Sequence, residues 1–373
     1  MGSRPRGFPD GDGTVGCMGV RELLALAGAI VALVLAVPAA GSRPAAVRPA
    51  VRELVGQRLV VALHGTTASR SLLGRVRRGE VGGVILFGDN VTGETQLRSL
   101  TAGLQAAARE GGRPNLLVAV DQEGGDIRRL PWVGPSAPAE ALGRMTPASV
   151  RQIARAVGTA LRATGVNVDL APVADVAVRG SFMAAEQRTF SADPARVGLI
   201  ATAFAAGLAD TGVAATVKHF PGIGRATLST DRVAVTIGAA SAALAGDLVP
   251  FRWALAAGAP IVMMSNATYT VYGDQPAAWS GRIQALLRGE LGFRGVTITD
   301  AVEAAASTRG RSSASVAVLA AQAGVDLILV TGSEAESEAV YRRLLGRASS
   351  GSIAPASLRR SYDRVLSLKR RLG

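Results

Sequence analysis

The sequence is poor in the residues that form disulfides or bind metals. Its 373 residues include one cysteine and two histidines, and aromatic residues make up only 4%. Cys17 precedes the apolar segment of the N-terminus, so the predicted mature chain has no cysteine. A chain without cysteine pairs or a histidine cluster has no disulfide framework and no recognisable set of metal ligands. We therefore expect no metal and no other cofactor.

Lysine is scarce as well, because arginine supplies 39 of the 41 basic residues that give the formal charge of +13. The arginines are scattered and form only short pairs such as Arg77-Arg78 and Arg370-Arg371. A nucleic-acid surface is typically a basic stripe interleaved with aromatic residues, and the sequence has no such stripe. We expect no nucleic-acid partner, and at most a weak attraction to anionic envelope surfaces.

The N-terminus has the features of a targeting segment. Residues 23–37 form an uncharged apolar run that follows an arginine and precedes small residues, which is typical of a secretory signal. We interpret residues 1–40 as an extension with a signal or anchor, 41–53 as a linker and 54–373 as the folded domain. Export is expected. Cleavage, membrane anchoring through this run and a true start at Met18 all remain open.

Eight short apolar segments alternate with helical segments along the rest of the chain. They lie at 58–62, 83–87, 116–120, 166–170, 213–217, 261–264, 296–299 and 326–330. Strands that are apolar almost throughout indicate a parallel sheet that is covered on both faces. Eight such units predict an α/β fold of the (β/α)₈ TIM-type barrel class, with its active site at the carboxyl ends of the strands.

Polar residues gather at those predicted strand ends. The most informative group is KHFPG at 218–222, which follows an apolar run and places one of the two lysines beside one of the two histidines. Chance polar residues in a loop are the alternative interpretation. The same arrangement recurs after other strands, with Asp121 after the third and Asp300 after the seventh. This recurrence favours a site at one end of the barrel.

Five motifs in order resemble the single-barrel branch of glycoside hydrolase family 3, the β-N-acetylhexosaminidase type. They are VDQEGG at 120–125, GVNVDLAPV at 165–173, RTFS at 188–191, KHFPGIG at 218–224 and LGFRGVTITD at 291–300. The resemblance covers the chain from about Leu54 to the C-terminus. It implies a retaining glycosidase that forms a covalent glycosyl-enzyme intermediate.

The resemblance also implies roles for individual residues. Asp300 occupies the place of the nucleophile, for which a carboxylate at a rigid strand end is suited; taken alone, it would also suit a helix N-cap. Asp169 and His64 are expected to be structural. Residues that hold the sugar hydroxyls in similar enzymes correspond here to Asp121, Arg129, Arg188, Lys218 and His219.

The loop after the fifth strand departs from the family pattern. The branch carries its acid/base histidine there in an Asp-x-His pair, and an ungapped alignment places Ser229-Thr230-Asp231 at that position. Either Asp231 takes over as the acid/base, which is ordinary chemistry for a positioned carboxylic acid, or the chain binds a glycan and turns it over slowly or not at all.

These alternatives define the predicted function. We expect an exported retaining β-glycosidase that hydrolyses terminal sugars of cell-wall or related glycans and has an altered acid/base loop. An envelope sugar-binding protein is the alternative. The resemblance implies N-acetylglucosamine-containing cell-wall fragments as substrate. Retention of Asp300 favours the enzyme, because a protein that only binds sugar has no need for a nucleophile.

Overall fold

The computed structural model describes residues 49–373 and, at residue 306, the backbone alone. Eight parallel strands form a single sheet: β1 (Leu59–Ala62), β2 (Gly83–Leu86), β3 (Leu117–Val120), β4 (Val168–Asp169), β5 (Ala214–Phe220), β6 (Ile261–Met264), β7 (Val296–Thr299) and β8 (Ile328–Val330). They pair in the order β7-β6-β5-β4-β3-β2-β1-β8. A parallel bridge between Ile298 and Leu327 joins β7 to β8 and closes the barrel. The predicted (β/α)₈ barrel is confirmed.

Helices follow the strands and cover the outside of the barrel. The α-helices span Val51–Gly56, Arg70–Arg78, Glu94–Glu110, Ala139–Gly143, Pro147–Ala163, Phe182–Ala185, Pro194–Ala209, Ser241–Asp247, Val249–Ala256, Gly281–Ala285, Ala305–Thr308, Ser313–Ala323, Glu334–Ser349 and Pro355–Leu372. Short 3₁₀ turns lie at Gly88–Asn90, Thr270–Tyr272 and Ala277–Trp279, and a π-helical turn lies at Leu286–Glu290. Two further strand pairs lie outside the barrel: Gln122–Gly124 with Ile127–Arg128, and Thr236–Ile237 with Thr268–Tyr269.

Successive side chains along each strand face opposite sides, which divides the core into two layers. One layer lies between the strands and the surrounding helices. The other fills the barrel with Val60, Ile85, Ala119, Leu170, Met263 and Leu329, among others. Val365, Leu368 and Leu372 of the last helix join this inner layer. That helix therefore closes the amino-terminal end of the barrel, which we call the floor, and leaves the carboxyl-terminal end, the mouth, for chemistry.

The proposed boundaries at residues 40 and 53 stay predictions. The targeting run at 23–37 lies outside the described residues. Between residues 49 and 373, no helix is both long and apolar enough to cross a membrane.

Candidate active site

A pocket of about 510 Å³ opens at the mouth of the barrel. It gathers residues from loops that are far apart in the sequence because all of these loops follow the carboxyl ends of the barrel strands. All seven residues assigned to the site from the sequence contribute to its wall: Asp121, Arg129, Arg188, Lys218, His219, Asp231 and Asp300.

Two cations and two carboxylates form a compact cluster on one side of the pocket. Lys218 Nζ lies 2.6 Å from Asp121 Oδ1 and 2.7 Å from Glu123 Oε1. Arg188 donates to both oxygens of Glu123, with Nη2 2.8 Å from Oε1 and Nε 2.9 Å from Oε2. Charge-assisted and bidentate bonds of this kind fix side-chain geometry closely. Glu123 thereby holds both cations in place and leaves Asp121 at the exposed edge of the cluster.

The charges of the cluster are stabilised mutually. Burial alone would raise the pKa of Glu123, but Lys218 and Arg188 outweigh it and hold that pKa below its usual range. Burial would likewise lower the pKa of Lys218, and Asp121 and Glu123 reverse this, so the pKa is raised. Glu123 and Lys218 therefore remain ionised although both are almost fully buried. Such fixed charges are well suited to bind sugar hydroxyls.

Asp300 stands at the end of β7, and the backbone places it firmly. Its N–H donates to Met264 O at 3.0 Å, and its Oδ1 accepts the N–H of Ala301 at 2.8 Å. The next helix begins only at Ala305, so Asp300 is not a helix N-cap. Burial raises its pKa, the charge of His219 opposes this rise, and the carboxylate of Asp231 adds to it. These effects mean that Asp300 shares the pocket with an imidazole and a second carboxyl.

His219 is held by a carboxylate that the sequence analysis did not single out. Its Nδ1 lies 2.7 Å from Asp175 Oδ2, and Asp175 is fully buried. Asp175 follows β4, where Val173 bridges to Lys218 in the neighbouring strand. Because a carboxylate can only accept hydrogen bonds, Nδ1 carries the proton in this contact.

Asp231 lies on the exposed loop that follows β5. Its backbone N–H donates to Ser229 Oγ at 3.3 Å, and its carbonyl accepts the N–H of Ala305 at 3.2 Å. The loop is thus tied to the segment that follows Asp300. Asp231 and Asp300 line the same pocket, and the charge of Asp231 adds to the rise in the pKa of Asp300.

Arg129 differs from the other cations of the pocket. Its Nε is buried and has no hydrogen-bond partner within residues 49–373, and no salt bridge of this residue occurs there. The charge of Arg129 is therefore left for a group inside the pocket.

The two residues expected to be structural have partners that fit that interpretation. Asp169 is fully buried at the end of β4, and its Oδ1 accepts the backbone N–H of Gln122 at 3.0 Å. Burial raises its pKa well above the usual range. His64 lies outside the pocket lining and its Nε2 is 3.0 Å from Gly332 O.

Glu123 and Asp175 are the residues that sequence reasoning missed. Both follow a barrel strand within six residues, so the strand-end pattern contained a signal for each. Asp175 comes after the APV segment at 171–173, and Glu123 is the third residue of DQEGG. What the sequence does not contain is the distance from each carboxylate to Lys218 or His219 on β5.

No group of three metal-ligating side chains lies together in the part of the chain that the structure describes, and the expectation of a metal-free site stays a prediction.

The geometry and the comparisons with known proteins lead to one family. The model of the glycosyl hydrolase family 3 N-terminal domain matches residues 50–368. The chain belongs to glycosyl hydrolase family 3. It is accordingly a glycoside hydrolase, and it is β-N-acetylhexosaminidase-like in sequence and structure.

Curated relatives and solved structures agree on this type. A β-hexosaminidase of Stenotrophomonas maltophilia strain K279a is 35% identical over 293 residues, which are 76% of this chain and 86% of the relative. A protein of Arthroderma benhamiae described as an uncharacterized secreted glycosyl hydrolase is 34% identical over 329 residues, 85% of this chain and 93% of the relative.

Among solved structures, the β-N-acetylhexosaminidase of Beutenbergia cavernae superposes with a TM-score of 0.81 at 34% identity, covering 87% of this chain and 99% of that one. A family 3 β-N-acetylglucosaminidase of Paenibacillus sp. FPU-7 superposes with a TM-score of 0.84 at 33% identity. The match covers 87% of this chain and 63% of the Paenibacillus structure, which is the longer of the two.

Proposed function

We propose that this protein is an exported, retaining β-N-acetylhexosaminidase-like enzyme that removes terminal sugars from cell-wall or related glycans. The observation that carries the proposal is the position of Asp300. It lies at the rigid end of β7, in the same pocket as the Asp121–Glu123–Arg188–Lys218 cluster. In this assignment Asp121, Arg129, Arg188, Lys218 and His219 hold the sugar, and Asp300 reacts with it.

The reaction has two displacement steps. A carboxylate oxygen of Asp300 bonds to the anomeric carbon while the glycosidic carbon–oxygen bond breaks, and a general acid protonates the departing oxygen. Water then attacks the anomeric carbon, gives its proton to the same group and releases the Asp300 carboxylate. Because Asp300 must be ionised to attack and burial raises its pKa, activity is expected to fall in acid as this carboxylate takes up a proton.

We assign the proton transfer to Asp231. It takes the alignment position of the missing histidine, and its charge acts on Asp300 across the pocket mouth. An acid at the mouth is reached by the leaving group, which must extend out of the pocket while the sugar ring lies within it. A retaining mechanism needs two carboxyl groups at one site, and the Asp231 carboxylate, which lines the same pocket, adds to the rise in the pKa of Asp300.

A second candidate function is glycan binding with slow or no turnover. The observation in its favour is that Asp231 is exposed, with the hydroxyl of Ser229 as its side-chain neighbour, whereas an Asp-x-His pair would supply a carboxylate-supported imidazole. Loss of a general acid costs roughly 10²- to 10⁴-fold in rate. The cation–carboxylate cluster would still bind the sugar.

Two variants and a trapping reagent separate these functions. Asp300→Asn should abolish turnover and keep N-acetylglucosamine binding within a few-fold. A 2-fluoro-sugar inactivator should label Asp300, as read by mass spectrometry. Label on another carboxylate would refute the nucleophile, and N-acetylglucosamine binding with no hydrolysis of any aryl β-glycoside in a panel would establish the binding function.

Asp231→Ala tests the proton donor. A good leaving group departs without protonation, so the variant should lose roughly 10²- to 10⁴-fold on substrates with poor leaving groups and little on activated aryl glycosides. Equal losses on both classes would remove Asp231 from proton transfer.

Export, anchoring and the cell-wall substrate belong to the same proposal. The apolar run at 23–37 and the secreted fungal relative support export, and the β-hexosaminidase relatives support N-acetylglucosamine as the sugar. Cell fractionation tests the location. Full-length protein confined to the soluble cytoplasmic fraction would contradict both export and membrane anchoring.

A further inference from the structure

Asp175 makes three hydrogen bonds beneath the site, although it does not line the pocket. Its Oδ2 contacts His219 Nδ1 at 2.7 Å, and its Oδ1 accepts the backbone N–H groups of Ile223 at 2.8 Å and of His219 at 3.3 Å. It is fully buried. A single side chain therefore binds both the imidazole of the pocket and the first residues of the loop that leads to Asp231.

The contact with Asp175 determines which ring nitrogen of His219 is available. Because Nδ1–H donates to the carboxylate, Nε2 is the nitrogen that remains for the pocket. His219 Nε2 has no hydrogen-bond partner among residues 49–373. An imidazole fixed in this way presents a lone pair when neutral and an N–H when protonated, always from the same position.

We propose that Asp175 is a positioning residue for catalysis: it fixes the ring of His219 with Nε2 directed at the bound sugar, and it couples that ring to the loop that carries Asp231. The inference rests on the proposed function and adds a residue that touches neither the sugar nor the reacting atoms. Its role is to keep the sugar-binding imidazole and the proton-donating loop in one fixed relation.

The loop has other anchors, which makes Asp175 testable without losing the fold. Tyr269 donates its hydroxyl to Gly222 O at 2.9 Å, and Arg225 binds Asp247 with two contacts of 2.6 and 3.2 Å. We therefore expect Asp175→Asn to fold. In this variant the amide oxygen can accept the two backbone N–H groups as Oδ1 does, which leaves the NH₂ group facing Nδ1.

The ring state of His219 is the direct test. The chain has only two histidines, so a ¹⁵N-histidine spectrum of the whole protein contains two rings, and His64→Gln assigns them. The wild type should carry a proton on Nδ1 of His219. Asp175→Asn should convert the ring to the neutral form with its proton on Nε2, because the new NH₂ group donates to Nδ1. Identical ring states in both proteins, or a wild-type ring without a proton on Nδ1, would overturn the proposal whether or not the protein is an enzyme.

A double-mutant cycle tests whether Asp175 acts through His219. Asp175→Asn should lower kcat/KM roughly 10- to 100-fold, the usual effect of a lost charge-assisted hydrogen bond. The same change in a His219→Gln background should have an effect of less than about 3-fold, because coupled residues are not additive. Additive losses would overturn the coupling. Asp193→Asn is the matched control, since Asp193 is an exposed N-cap and asparagine caps equally well.

The leaving-group dependence of Asp175→Asn completes the assignment. Because Asp175→Asn keeps the bonds to the loop backbone and changes only the contact with His219, it should lower kcat/KM by the same factor for good and poor leaving groups. A loss confined to poor leaving groups would place the Asp175–His219 pair in proton transfer itself and overturn the positioning role. If the wild type hydrolyses nothing, the proposed function fails. The spectra and calorimetric binding of N-acetylglucosamine then still test whether Asp175 positions His219.

Discussion

The only two lysines of the chain are both buried, one at each end of the barrel, and their surroundings are opposite. Lys218 at the mouth is 2% exposed and lies between Asp121 and Glu123, which raise its pKa. Lys369 at the floor is 4% exposed, and its Nζ contacts the side-chain oxygen of Gln57 at 2.6 Å. Burial without a carboxylate lowers its pKa to about 7.

The comparison separates burial from charge pairing as causes of a shifted pKa. Desolvation penalises the ammonium group at both ends. At the mouth, two carboxylates within 2.7 Å more than compensate, and the cation is maintained. At the floor a neutral amide cannot compensate, and the lysine gives up its proton near neutrality. The mouth therefore keeps a charged ammonium group that a ligand can contact, whereas the floor only closes the barrel.

The largest effect is expected for Lys218→Met. The change removes the salt bridge of Asp121 and leaves Glu123 paired with Arg188 alone among the described residues, and removing one partner of a buried ion pair costs about 3–5 kcal/mol. Unfolding in urea should show this loss, and binding of N-acetylglucosamine should disappear in calorimetry.

Lys369→Met is the matched control for that variant, with the same substitution at the same degree of burial. It should leave sugar binding unchanged and unfold at an equal or higher urea concentration at pH 7. If both variants lost equal stability, pairing with carboxylates would not be what distinguishes the two ends.

A smaller effect is expected for Glu123→Gln, which removes the charge shared by Lys218 and Arg188. The variant should lose about 1–3 kcal/mol of stability at pH 7. The pKa of Glu123 in the folded state lies below the ordinary glutamate value of 4.5. Its ionised form therefore stabilises the fold above that value, and this contribution is lost as pH falls. The difference in unfolding free energy between variant and wild type should therefore shrink from pH 5 to pH 3. A difference that stays constant over this range would contradict the charge assignment.

The smallest effect concerns the pH dependence of stability at the floor. Lys369 has a pKa of about 7 in the folded protein, against 10.5 for an ordinary lysine, so above pH 7 the unfolded state binds more protons than the folded state. Stability should then rise with pH, by about 1 kcal/mol between pH 7 and pH 8 for one such group. Urea unfolding at the two pH values measures this rise, and Lys369→Met should lack it. The same rise in the variant would exclude Lys369 as its source.

The sequence predicts the barrel well because its strands are apolar and short. All eight strands lie at the predicted places, and β6 and β7 match to the residue. The main difference is in β5, which was predicted to end at Val217 and continues to Phe220. Lysine and histidine are uncommon inside a buried strand, so the apolar pattern of the sequence ends at Val217. In the structure, Lys218 pairs with Val173 and Phe220 pairs with Met264, which continues the strand.

The site could be predicted as a set of residues but not as a network. Motif order assigned seven residues, and all seven lie in one pocket. The partners of these residues could not be predicted from the sequence, because Glu123 and Asp175 contact Lys218 and His219, which are more than 40 residues away along the chain. The roles of the seven, including Asp231 as proton donor, stay predictions.

The burial of both lysines has a practical consequence for following the unfolding of this protein. Every other basic residue is arginine, so a protease specific for lysine finds no accessible cleavage site on the folded domain. Cleavage after Lys218 requires the mouth to open and cleavage after Lys369 requires the last helix to leave the floor. The two sets of fragments would therefore report, from one digestion, which end of the barrel opens first.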